Sequence, residues 1–153
     1  MSRPPFAPRA ASHQPAFRAH RHRDLGIPAA AAHKPVMADP HRPAATLYHY
    51  PRCSKSRAAL ALLEAAGAEV TIIDYLNDPP DPAELARLYA RAGLTAAQGL
   101  RRGEAGTAAL AGADDATILV AMAADPILIE RPLVETERGV VLARPPERVT
   151  EVL

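Results

Sequence analysis

The residues most able to do chemistry in this sequence gather around one sulfur. Cys53 is the only cysteine among 153 residues, and it lies in the run Tyr50-Pro51-Arg52-Cys53-Ser54-Lys55-Ser56-Arg57. A helix that starts just after it would aim unpaired backbone N–H groups, and about half a positive charge, at that sulfur. Arg52, Lys55 and Arg57 stand beside it and Ser56 offers a hydroxyl. The thiol is therefore predicted to ionise below the ~8.5 of a free cysteine. An inert cysteine buried among apolar side chains is the competing reading. Four polar or basic neighbours in a turn argue against it.

Two common thiol designs are absent. A dithiol exchange motif needs a second cysteine at position 56, where Ser56 stands, and a tyrosine-phosphatase loop needs arginine at position 59, where Ala59 stands. What remains is a nucleophilic or mixed-disulfide thiol with no internal resolving partner, so any redox cycle must draw thiols from outside, such as glutathione. Three arginines at the edges of predicted elements complete the candidate set: Arg101 (with Arg102), Arg131 before Pro132, and Arg144. Singly, each reads as a solvated charge. Together they could grip a tetrahedral oxyanion through guanidinium forks, a two-point contact that lysine cannot make.

The elements that must position these groups begin near Ala45. Thr46–His49 reads as a strand and Ser54–Ala66 as an Ala/Leu-rich helix ending at Gly67. Val70–Tyr75 is β-branched and reads as a second strand. Asp81, Pro82 and Glu84 form a capping-box start for a helix to about Gly93. A short helical piece over Thr95–Leu100, a flexible Gly103–Gly112 stretch and a helix capped by Asp114 or Asp115 follow. Leu133–Thr136 and Val140–Ala143 read as a hairpin turning at Glu137-Arg138-Gly139, and a last helix runs from about Pro145 to Leu153. A right-handed β-α-β crossover makes the first two strands parallel, and the hairpin adds an antiparallel pair. The predicted fold is α/β: a thioredoxin-like four-stranded mixed sheet with flanking helices and a helical insertion. In such a sheet the loop before the third strand lies beside the cysteine loop, and Pro132 is a candidate cis-proline.

Composition divides the chain in two. Residues 1–45 hold seven basic and two acidic residues, half of the 16 prolines and five of the six histidines, so their net charge is +5 against −4 for the remainder. Residues 1–44 have too few large aliphatic side chains to offset the cost of ordering a backbone, and read as a disordered Pro/Ala/Arg/His-rich extension before a folded domain over 45–153. A working start at Met37, a weak phosphate-binding arm and a transit peptide are the other readings of this tail. Its histidines lack a fixed ligand spacing, so no metal site is expected. The overall +1 charge, the lone cysteine and the lack of a long apolar run exclude a basic nucleic-acid binder, a disulfide-stapled secreted domain and a membrane span. A reduced cytoplasmic setting and a monomer are the expectation.

Five motifs in order carry a resemblance: Tyr48-His49-Tyr50-Pro51-Arg52-Cys53-Ser54-Lys55-Ser56-Arg57, Asp78-Pro79-Pro80, Leu100-Arg101 with Gly103-Glu104, Pro126–Pro132, and Arg144-Pro145-Pro146-Glu147. Residues 45–153 resemble the glutaredoxin-dependent arsenate reductase family. The resemblance implies that Cys53 attacks arsenate and that Arg101, Arg131 and Arg144 bind the oxyanion. It also implies that His49 tunes the thiol's surroundings and Ser56 supports the thiolate. Glutathione would be the co-substrate and glutaredoxin the partner, with no bound cofactor. The chain departs from the family at Tyr50, where members carry Asn, at Gly99, where they favour Leu, and in the small residues of Gly103–Gly112. Two alternatives belong to the same fold: a regulator that binds RNA polymerase, and a glutathione-dependent thiol transferase with another substrate.

Overall fold

A computed structural model of the protein describes residues 42–153. The readings made for the tail fall outside these, except that Ala44 already belongs to the first strand. Four strands form one sheet: β1 (Ala44–His49), β2 (Glu69–Asp74), β3 (Leu133–Thr136) and β4 (Gly139–Leu142), in the order β2-β1-β3-β4. β1 and β2 run parallel, while β1–β3 and β3–β4 are antiparallel. The fold is the expected thioredoxin-like mixed sheet.

Helices cover both faces because strand side chains alternate between them. Helix α1 (Ser54–Ala65) lays Ser56, Ala59 and Leu63 against one face, where Leu47, Val134, Val141, Val149 and Val152 share its core. Helices α2 (Pro82–Ala92) and α3 (Asp115–Ala124) cover the other, with Tyr48, Tyr75, Leu85, Leu88, Ile118, Met122 and Leu133. The start signals work as local chemistry predicts. Asp81 accepts from the Glu84 backbone N–H at 2.7 Å and Asp114 from that of Thr117 at 2.7 Å. Gly93 closes α2 in the left-handed conformation that favours glycine (φ 66°).

Several local readings are corrected. Gly103–Gly112 contains a 3-10 segment at Ala105–Leu110, where the Thr107 hydroxyl donates to the Arg101 carbonyl at 2.9 Å. The last helix is a 3-10 segment over Pro146–Glu151, and the piece after Thr95 shortens to Ala97–Gly99. The hairpin turns on Glu137 and Arg138 alone, with Gly139 paired to Thr136 as the first residue of β4. The Thr136 hydroxyl accepts from the Arg138 N–H at 3.1 Å, so the turn needs no glycine.

Candidate active site

Cys53 is the N-cap of α1, with extended backbone (φ −88°, ψ 120°) and a half-buried thiol. Its N–H donates to the Tyr50 carbonyl at 2.9 Å, and Arg57 Nη1 donates to the Pro51 carbonyl at 2.9 Å, so the loop is braced from both ends. Burial pushes the thiol's pKa up. The backbone N–H groups of Ser56 and Lys55, the Ser56 hydroxyl and the Arg131 guanidinium outweigh it, and the thiol ends below its ordinary value. The sulfur makes no side-chain cap of regular hydrogen-bond geometry, so it is stabilised by the N–H groups and the hydroxyl around it without capping the helix itself. The group from outside the loop is Arg131.

Arg131 is 4% exposed, and its Nη1 has no hydrogen-bond partner of regular geometry among the described residues. Its position follows from strand register. β1 and β3 pair Tyr48 with Leu133, and two residues further along the same row Arg131 falls opposite Tyr50. The guanidinium lies over the Tyr50 ring, 5.1 Å from its centroid, within cation–π range. Tyr50 is thus the support on which this arginine rests. The Arg131–Pro132 peptide bond is cis.

The other two arginines are differently held. Arg101 is half-buried and ion-paired with Glu104. Its backbone is fixed by an N–H bond to the Leu128 carbonyl at 2.7 Å, beside a bridge between Leu100 and Ile129. Arg144 is exposed, pairs with Glu130 and reaches the Arg131 carbonyl at 3.4 Å. The structure thus brings Arg131 against the thiol, places Arg101 on a segment stitched to the approach to β3, and leaves Arg144 on the rim.

Ser56 is fully buried on the sheet side of α1, and its hydroxyl has no hydrogen-bond partner of regular geometry among the described residues, though it helps to lower the pKa of the Cys53 thiol. His49 is buried at the end of β1 opposite Asp74. Burial lowers its pKa, with Asp74 opposing and Arg57 assisting, so the imidazole is neutral near pH 7. Its Nδ1 also lacks a partner among the described residues. Tyr75 was missed by sequence reasoning. It follows β2, is 1% exposed, and its phenol senses Arg131, Arg101 and Cys53. Register arithmetic could have found it, since β1 and β2 pair His49 with Asp74 and so set Tyr75 beside Tyr50. Among the described residues no group of three or more His, Cys, Asp or Glu side chains could hold a metal. None of their helices is long and apolar enough to cross a membrane.

A lone thiol at a helix N-cap faces a buried arginine at the C-terminal end of β1, and the sheet that holds them is of the thioredoxin-like class. The chain belongs to the ArsC family, whose model matches residues 48–152. An arsenate reductase of Rhizobium meliloti is 43% identical over 112 residues, spanning 71% of this chain and 80% of that one. One from Escherichia coli K12 is 41% identical over 113 residues, spanning 71% and 79%. A solved arsenate reductase from Vibrio cholerae superposes with a TM-score of 0.69 at 39% identity, covering 73% of this chain and 99% of that one.

Proposed function

We propose that this protein reduces arsenate to arsenite with glutathione and glutaredoxin, using Cys53 as its nucleophile. The observation that carries the reading is the buried Arg131 guanidinium, without an ion-pair partner among the described residues, set against a thiol held below its ordinary pKa. A buried cation without a counter-ion is costly unless an anion supplies the missing charge. A guanidinium fork beside a thiolate suits a tetrahedral oxyanion that is to be attacked through its central atom.

The thiolate sulfur bonds arsenic as one oxygen leaves as water, and glutathione bonds it in turn with loss of a second water. A glutaredoxin thiol then takes the glutathione sulfur into a mixed disulfide. The electron pair of the broken sulfur–arsenic bond stays on arsenic, which passes from As(V) to As(III). Hydrolysis of the remaining bond to Cys53 frees arsenite and restores the thiol. A single protein cysteine suffices, because the second and third thiols come from the co-substrate and partner.

The test is arsenite formation with glutathione and glutaredoxin supplied. Wild type is expected to turn over and Cys53→Ser to show none, with phosphate competing but never consumed. Equal rates in the two proteins would overturn the reading.

A further inference from the structure

Three residues form one row across the C-terminal edge of the sheet. β1–β2 register sets Tyr75 beside Tyr50, and β1–β3 register sets Arg131 on the other side of Tyr50. Strand alternation places all three on the face covered by α2 and α3, where Tyr75 is core and Tyr50 packs against it. Arg131 lies over the Tyr50 ring, so its guanidinium and the Tyr75 phenol approach each other above that ring. The Tyr75 hydroxyl and Arg131 Nη1 are both fully buried, and neither has a hydrogen-bond partner of regular geometry among the described residues. Buried polar atoms are seldom left unpaired, because the loss of water is uncompensated.

We propose that the Tyr75 hydroxyl is a further contact for the oxyanion at Cys53, sharing one anion oxygen with Nη1 of Arg131. This rests on the function proposed above. Arginine can only donate, and the phenol keeps its proton through the physiological range because burial lifts it to about 12 against the pull of Arg131 and Arg101. Two converging donors are both satisfied by a single anionic acceptor. The guanidinium is near enough to pull on the phenol, yet the two do not meet in regular hydrogen-bond geometry, so each keeps capacity for an anion.

Tyr75→Phe removes this hydroxyl and little else. Expected is a roughly 10- to 100-fold loss in kcat/KM for arsenate, the range for a hydrogen bond to a charged group. Protection of Cys53 from alkylation by inorganic phosphate should weaken by a comparable factor, while the thermal unfolding midpoint stays level or rises. Wild-type kcat/KM with wild-type phosphate protection would overturn the contact. So would a variant that unfolds early or fails to fold, since a hydroxyl without partners cannot be holding the structure together. If wild type itself fails to reduce arsenate, the proposed function falls, and phosphate protection still decides whether Tyr75 touches the anion.

Discussion

Arg87 and Arg131 lie on the same side of one sheet, yet their surroundings are opposite. Arg87, on α2, donates to both Glu84 and Glu135, and Arg91 joins it on Glu135. The tyrosine of that cluster, Tyr48, donates to Glu84 at 3.0 Å. The Arg131 guanidinium has Tyr75 and Tyr50 for neighbours and no ion pair among the described residues, the Glu130 carboxylate accepting instead from the Arg131 backbone N–H at 3.1 Å. Arg87 keeps much of its side chain in water, whereas Arg131 is 4% exposed. The first cluster is a structural clasp between α2 and β3 with its hydrogen bonds already made. The second is an arrangement of donors that the fold alone does not complete. An arginine in a core is thus informative less by its presence than by what has been left for it to bind.

Replacing each arginine breaks the comparison most sharply. Arg131→Met keeps the volume but removes the charge, and should lower arsenate kcat/KM by about 100-fold or more, as deletion of an oxyanion donor does. Its thermal stability should hold or improve, because a hydrophobic residue of similar size in place of a buried charge is often neutral or stabilising. Arg87→Met should do the reverse, leaving turnover near wild type and weakening the α2–β3 clasp. Steady-state kinetics with thermal unfolding on both variants decides this. Loss of activity in both, or of stability in both, would erase the distinction.

A third buried tyrosine sharpens it. Tyr89 is 2% exposed and satisfied, since its hydroxyl donates to the Gly99 carbonyl at 3.4 Å. A Cβ on Gly99 would sit 2.3 Å from the ring carbon Cζ of Tyr89 and 2.5 Å from its hydroxyl. The phenol thus fills the room that a larger side chain at position 99 would need. Gly99→Ala should destabilise by about 1–3 kcal/mol, the usual cost of overpacking, read by denaturant unfolding. Because the Gly99 carbonyl also accepts from the Glu130 N–H at 2.8 Å, the strain should reach Arg131 and lower activity as well.

Much of this was legible because it is local. The N-caps Asp81 and Asp114, the glycine after α2 and the thiol at the start of α1 are decisions made within four residues. The β-branched run of β2 and the hairpin of β3 and β4 announced the sheet, and the loop before β3 marked Arg131. Less visible were the features that depend on partners far away in sequence. Val140 looked like the start of a strand because Gly139 looked like a turn, but the Thr136 hydroxyl lets Glu137 and Arg138 turn alone. Arg101, Arg131 and Arg144 read alike as edge arginines, and only folding shows that Glu104 and Glu130 hold two of them. Tyr75 read as the end of a strand, and its meaning emerges only when three strands align it with Tyr50 and Arg131.

The smallest effect is expected from Glu135→Gln, which tests whether the satisfied cluster is purely structural. The Arg87 hydrogen bond is the largest influence holding the Glu135 carboxyl below its ordinary range, against the burial that raises it, and Arg91 assists. A carboxyl whose pKa is depressed on folding contributes stability that is complete above its unfolded value, near 4.3, and lost as pH falls through the folded one. Wild type should therefore exceed Glu135→Gln by about 1 kcal/mol at neutral pH, the scale of a partly exposed ion pair and its hydrogen bonds. The gap should narrow as the solution is acidified below about pH 4. Denaturant unfolding at pH 7 and at pH 3 measures both. Arsenate turnover at pH 7 should be unchanged, since this carboxylate serves the clasp and has no part in holding the anion. A variant with wild-type stability and impaired turnover would show the two clusters to be one system.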